Sequence, residues 1–265
     1  MARSKATAPL ADKRIVVTRP EGQTESLRLE LEKLGATVLE IPLIEIEYTA
    51  DDAALKNTFD DIGQFDWIVF TSRNGVQGFF TQFFNIFNDI RGIGLARIAC
   101  VGAGTAKAVR EYHLNVDLMP EEATGEALGK EMVTGQSLEH LRVLVVTGNR
   151  NRETLVNILS EKGKAIVDTL SVYATYENDV EKMDAVESFR RDGADAIIFA
   201  SPSAVEAFVA QARLLTPAKS ARQPKAIAIG AVTAGAMREF GIPVAAQAVS
   251  PTPDALAAAV AQALK

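Results

Sequence analysis

The chain has 265 residues, a length that suits two lobes each burying its own core, with 48% hydrophobic and 23% charged residues. A net charge of −6 excludes general nucleic-acid binding, which needs a basic surface to displace counterions, yet leaves room for a small anion held by a few amides and arginines. No apolar run is long enough to span a bilayer, and the single cysteine, Cys100, excludes an intramolecular disulfide.

In chain order, the opening segment MARSKATAPLADK has two early positive charges and no apolar stretch. It reads as a frayed tail and not a secretory signal, and a cytoplasmic chain is expected, in keeping with the cysteine usage. IVVT (15–18) then reads as a buried strand, and TESLRLELEKLG places Leu27, Leu31 and Leu34 at helical spacing before a stop at Gly35. Further strands are expected near 37–41, 67–71, 97–101, 115–118, 142–146, 165–168, 196–200, 226–229 and 244–247. Extended crossings fall at 42–49 and 169–178, and the stretches 50–64, 85–95 and 213–224 read as surface connections. Strands apolar on both faces that alternate with helices imply parallel sheets with right-handed crossovers, hence an α/β fold with two five-stranded, flavodoxin-like sheets.

The chain also contains itself twice, at an offset of about 128 residues. RIVVTRPEGQTESL from Arg14 matches RVLVVTGNRNRETL from Arg142; DWIVFTSRNGVQGFF from Asp66 matches DAIIFASPSAVEAFV from Asp195. IACVGAGTAKAV from Ile98 matches AIAIGAVTAGAM from Ala226. The order of the matching pieces implies discontinuous domains, 1–44 with 176–265 and 45–175, joined by a two-stranded β linker that permits hinge motion.

In open α/β sheets ligands bind beyond the carboxyl ends of the strands. Those ends carry Thr18, Arg19 and Pro20; Thr71, Ser72, Arg73 and Asn74; Gly102, Ala103 and Thr105; Thr147 and Gly148; Ser201, Pro202 and Ser203; and Gly230 and Thr233. Any one hydroxyl is explained by helix capping. Six such loops facing one cleft would favour an anion through helix amides and arginines. Tyr173 and Tyr176 lie in the second crossing, against Glu45 and Tyr48 in the first, where β-propensity and core packing explain Tyr173 as well as a ligand would and Tyr176 better.

Other chemistries lack their signatures. GAGTAK (102–107) has Lys107 where a dinucleotide fingerprint has its third glycine, and no phosphate-binding P-loop or G-x-S-x-G elbow is present. His113 and His140 are expected at the surface and form no metal-ligand cluster with Cys100.

The ordered set V-T-R-P (17–20), F-T-S-R-N-G-V (70–76), V-G-x-x-T-A (101–106), R-E-x-L (152–155), V-Y-x-T (172–175), F-A-S-P-S-A-V (199–205), I-G-x-x-T-A (229–234) and P-T-P-x-x-L (251–256) resembles the uroporphyrinogen-III synthase family over roughly residues 14–260. The resemblance implies an enzyme that takes linear hydroxymethylbilane, eliminates water and closes the macrocycle with inversion of the last pyrrole ring, in tetrapyrrole (heme) biosynthesis. It implies no metal and no organic cofactor. It places Tyr173 as the residue assisting hydroxyl loss, and Ser72 and Thr233 near substrate carboxylates. A monomer is expected, with no nucleic-acid or membrane partner and with transient contact to hydroxymethylbilane synthase.

Two loops depart from the family pattern. Thr147 stands where many relatives carry a basic residue, a role that Arg150 or Arg152 would then take, and Ala231 and Val232 leave Thr233 as the one hydroxyl of its loop. The alternatives are a non-catalytic two-lobed small-anion binding protein and, less well supported, a Rossmann-type oxidoreductase.

Overall fold

A computed structural model describes residues 8–150 and 153–265. Arg152, and with it the start of the R-E-x-L motif, lies outside the described residues. Two compact units form, one from the segment through Glu45 together with Tyr176–Lys265, the other from Ile46–Thr175.

In chain order the elements are β1 (Arg14–Val17), α1 (Glu25–Lys33), β2 (Thr37–Glu40), β3 (Ile44–Glu47), α2 (Asp52–Asp60), β4 (Trp67–Phe70), α3 (Arg73–Ile86), β5 (Arg97–Cys100), α4 (Ala103–Glu111) and α5 (Gly125–Gly135). There follow β6 (Arg142–Thr147), α6 (Thr154–Asn157) running into a π turn (Ile158–Lys162), β7 (Ile166–Ser171) and β8 (Ala174–Glu177). The last elements are α7 (Asp184–Asp192), β9 (Ala196–Phe199), α8 (Pro202–Ala210), β10 (Lys225–Ala228), α9 (Ala231–Glu239), β11 (Val244–Gln247) and α10 (Pro253–Ala263).

The first unit holds a five-stranded sheet in the order β11-β10-β9-β1-β2, every pairing parallel. The three inner strands, β10, β9 and β1, are buried on both faces, so alternate residues feed two cores. Val16, Ile197, Phe199 and Ala228 pack on one side; Ile15, Val17, Ile198 and Ile227 pack on the other. The second unit holds a four-stranded parallel sheet, β5-β4-β6-β7. Both orders reverse at the strand that opens each repeat copy, β1 and β6, which is the flavodoxin-like arrangement. β3 and β8 pair as a separate two-stranded sheet where the chain passes between units.

One polar device recurs in both copies. The Asp195 carboxylate accepts the Arg14 amide at 2.9 Å and the Arg222 guanidinium at 3.0 Å. The Asp66 carboxylate accepts the Arg142 amide at 2.8 Å. Each aspartate stands just before a central strand and ties its start to the start of the neighbouring strand, so the repeated D-x-I-x-F pattern sets strand register.

The copies differ at the π turn. Arg14 pairs with Thr37, whereas Arg142 pairs with Ile166, so the second copy carries one residue more between its first two strands. The π turn absorbs that residue. The left-handed residue beyond the helix is accordingly Gly35 (φ 92°) in one copy and Lys164 (φ 55°) in the other.

Several sequence expectations are corrected. The opening segment is not wholly a tail: Leu10 is buried in the first unit's core and its amide donates to the Leu34 carbonyl at 2.8 Å. Residues 50–64 are not a surface connection but contain α2, capped by Asp51, with Leu55 and Phe59 buried and the Phe59 ring against those of Phe79 and Phe83. Ile93 and Leu215 are buried within the other two supposed connections. The strand expected at 115–118 is reduced to one bridge, Ala99 to Leu118. There the Asp117 carboxylate accepts the Ile98 amide at 2.7 Å, taking the bond a strand carbonyl would make, and Pro120 two residues on has no amide to extend the ladder. The second crossing is not one strand. Thr169–Ser171 complete β7, and Val172 and Tyr173 form a break before β8, because pairing with β6 ends at Thr147. His113 and His140 are exposed.

Candidate functional site

The second unit's sheet reverses between β4 and β6. Crossovers leave these strands in opposite directions, so their following loops separate and open a space at the carboxyl end. Ser72, two residues beyond that end, lies at the N-cap of α3 in extended backbone; its Oγ accepts the Gly75 amide at 2.9 Å and donates to the Tyr173 phenolic oxygen at 3.0 Å. The phenol therefore receives a hydrogen bond rooted in a helix N-terminus, and its own hydrogen is left for another acceptor. Tyr173 is half-buried, and desolvation raises its pKa above the usual phenol range, opposed by the Ser72 bond.

The backbone around Tyr173 is held from several sides. The Val172 amide donates to the Thr147 carbonyl at 3.0 Å, and the Asn149 amide donates to the Tyr173 carbonyl at 3.1 Å. A Cβ at Gly78, in the middle of α3, would lie 2.5 Å from the Val172 carbonyl oxygen, so this helix admits the segment only because that residue is glycine. Tyr48 packs beside the same glycine and donates to Gln77 Oε1 at 2.7 Å. Its pKa is raised, chiefly by burial, with the Arg73 charge acting the other way. Arg73, exposed at the first position of α3, puts a cation against the positive end of the helix dipole, a placement that an anionic ligand would relieve.

The other candidates divide by how their polar groups are used. Thr71 Oγ1 donates to the Val146 carbonyl at 3.0 Å, and Thr18 Oγ1, fully buried, donates to the Ile198 carbonyl at 2.8 Å. Both hydroxyls knit the central strands together. Thr147 is buried with its hydroxyl against the Gly148 carbonyl. In the first unit Ser201 caps α8 by accepting the Ala204 amide at 3.2 Å, with Pro202 and Ser203 as the first helical residues, and Arg19 donates to the Gln23 carbonyl at 3.2 Å beside Pro20.

Gly102 and Gly230 are the N-caps of α4 and α9, and neither helix has a side-chain cap. No cap side chain therefore takes an amide of their first turns, which leaves those amides for a ligand acceptor. Thr105 and Thr233 occupy the third position of these helices and are buried. Asn74 lies at the second position of α3, and Arg150 follows Asn149 in the loop after β6.

Thus Ser72 and Gly148 meet at the Tyr173 phenol, with Thr147 bonding the backbone just before it, while Gly102, Ala103 and Thr105 stand at the next strand end of the same sheet. Thr18, Arg19, Pro20, Ser201, Pro202, Ser203, Gly230 and Thr233 form the corresponding set in the first unit. Gly78, Gln77 and Asn149 were not singled out from sequence. Gly78 did carry a signal, since glycine within a helix costs about 1 kcal/mol against alanine and so marks a close approach. Burial pushes the Cys100 thiol up to about 12, which removes it as a nucleophile.

Among the described residues no helix is long and apolar enough to cross a membrane. The family model of uroporphyrinogen-III synthase HemD matches residues 25–258. A porphyrin biosynthesis protein HemD from Ruminiclostridium josui is 31% identical over 88% of the chain, and the chain spans 45% of that protein's length. A uroporphyrinogen-III synthase from Chlorobaculum parvum is 27% identical over 88% of the chain and 91% of its own length. Crystal structures of a mutant uroporphyrinogen III synthase from Thermus thermophilus and of uroporphyrinogen-III synthetase from Helicobacter pylori share the fold. Their TM-scores are 0.67 and 0.61 at 22% and 20% identity, covering 95% and 96% of this chain and 98% and 100% of theirs. With a match of this extent, the chain belongs to the uroporphyrinogen-III synthase family.

Proposed function

We propose that the chain is a hydro-lyase that converts hydroxymethylbilane to uroporphyrinogen III, and that the observation carrying this reading is the Ser72–Tyr173 hydrogen bond at the N-terminus of α3. The reaction begins with rupture of the carbon–oxygen bond of the hydroxymethyl group. The phenolic proton of Tyr173 goes to the departing oxygen, so water leaves, while the pyrrole nitrogen supplies electrons and an azafulvene cation remains. The raised phenol pKa keeps the proton in place at neutral pH. As the proton departs, the Ser72 hydroxyl, polarised by the Gly75 amide, stabilises the developing phenolate.

Ring closure is then a matter of shape. The substituted carbon of the last pyrrole attacks the cation to give a spirocyclic intermediate, which fragments and recloses with that ring inverted; the reclosed ring then sheds the proton of its newly bonded carbon, which balances the one given up by Tyr173. In the second unit, the amides at the start of α4 together with Arg73 and Asn74 suit the carboxylates of a flexible substrate, and the first unit carries its own counterparts in the amides at the start of α9 and in Arg19. The hydroxyls of Thr105, Ser203 and Thr233 line the same loops. Catalysis needs no cofactor in this scheme, and a monomeric cytoplasmic enzyme receiving its unstable substrate by transient contact with hydroxymethylbilane synthase accords with it. Supplied with freshly made hydroxymethylbilane, the purified chain is expected to yield the type III isomer. Formation of the spontaneous type I isomer alone, beside an active control, overturns the reading.

A further inference from the structure

We propose that Gly148 and Asn149, in the loop after β6, are positioning residues that set where the Tyr173 phenol stands. The inference rests on the reading of Tyr173 given above and extends it to the residues that hold it. The β6–β7 ladder ends at Thr147 and Ser171, so Tyr173 has no strand partner of its own. The loop supplies substitutes. The Asn149 amide donates to the Tyr173 carbonyl at 3.1 Å, and the Asn149 Oδ1 accepts the Thr175 amide at 2.9 Å, with its Nδ2 3.5 Å from the Thr175 carbonyl. One asparagine thus replaces a neighbouring strand from the Tyr173 carbonyl to Thr175, while the Thr147 carbonyl takes the Val172 amide before the tyrosine.

Gly148 sets the depth. A Cβ there would lie 2.4 Å from the Tyr173 ring carbon Cζ and 2.5 Å from Cε2, so the ring rests directly on the glycine backbone. Any side chain would lift the phenol from Ser72. The other repeat copy supports the assignment. In the match of RIVVTRPEGQTESL to RVLVVTGNRNRETL, Pro20 stands for Gly148 and Glu21 for Asn149, and the positions of the first crossing that match Tyr173, Ile44 and Glu45, carry no phenol. Glycine and asparagine occur in the copy that has a phenol to hold. The loop's role is therefore support of the tyrosine from behind.

The test uses the full chain and two readouts. Asn149→Ala is expected to lower kcat on the order of tenfold to a hundredfold with KM little changed, as misplacement of a reacting group does. Asn149→Asp, which keeps the acceptor for the Thr175 amide, is expected to restore most of it. In a Tyr173→Phe background Asn149→Ala should add less than about twofold, since its effect passes through the phenol. The second readout needs no turnover: ultraviolet titration of the Tyr173 phenol, obtained as the intact chain minus Tyr173→Phe. Its midpoint should fall toward the ordinary value in Asn149→Ala and in Gly148→Ala, because a loosened ring regains solvent and the desolvation so relieved outweighs the opposing loss of the Ser72 bond. Equal losses in both backgrounds, or an unmoved midpoint in both variants, would sink the proposal. If the intact chain forms only the type I isomer, the functional reading fails, and the titration still decides the positioning role.

Discussion

Ser72 Oγ lies 3.0 Å from the phenolic oxygen of Tyr173 while capping α3 through the Gly75 amide at 2.9 Å. One hydroxyl thereby couples a helix terminus to the group proposed to release the leaving oxygen. Ser72→Ala is expected to cost about 1 kcal/mol of stability through the lost cap. It is also expected to lower kcat by about 10²-fold through the lost stabilisation of phenolate. Because the serine bond holds the Tyr173 pKa down, its removal should raise the phenol titration further. Chemical denaturation, steady-state kinetics and ultraviolet titration of the variant check these three outcomes; an unchanged kcat removes Ser72 from the mechanism.

Tyr173→Phe keeps the ring on Gly148 and deletes the acid. Turnover is expected to fall roughly 10²–10⁴-fold, the range of a general acid. The pH dependence of stability carries its own sign. The folded phenol titrates above its ordinary value, so between about pH 10 and the folded pKa the unfolded chain loses a proton that the folded chain keeps. Stability therefore falls with rising pH in that window, and Tyr173→Phe should retain more of it than the intact chain. Paired urea melts above and below pH 10 measure the difference; parallel curves contradict the assignment.

The strand-end threonines are expected to separate by function. Thr18→Val removes a fully buried hydrogen bond to the Ile198 carbonyl and should cost about 1–3 kcal/mol of stability with little change in KM. Thr105→Val, at the third position of a helix with no side-chain cap, should leave stability nearly intact and raise KM about tenfold through a weakened carboxylate contact. Opposite behaviour of the pair in urea melts and substrate titrations would reverse their roles.

Asp195→Ala removes the acceptor of the Arg14 amide and of the Arg222 guanidinium, and Asp66→Ala removes that of the Arg142 amide. Each is expected to destabilise its own unit by about 1–3 kcal/mol. Hydrogen exchange resolved by segment should show protection lost around β1 and β9 for the first and around β4 and β6 for the second. Uniform loss across both sheets in either variant would contradict the role proposed for the aspartates.

The duplicated sequence by itself determined the α/β class, the two flavodoxin-like sheets and the family, because buried parallel strands need runs such as IVV and VLVV that are apolar on both faces, and a repeat multiplies that signal. It also marked the strand-end hydroxyls and glycines, since capping and tight turns demand those residue types in any context. The tertiary structure alone decided which hydroxyls are spent. Thr18 and Thr71 bond neighbouring strands and Ser72 reaches a phenol, although all three read alike as residues after a strand. It alone revealed α2 beneath the Phe79 and Phe83 rings, because a short amphipathic segment looks polar until its partners are in place. It alone showed Tyr173 in a break between strands, resting on Gly148 and held by Asn149. Those contacts join residues about 25 positions apart, and no local pattern encodes where two such segments will meet.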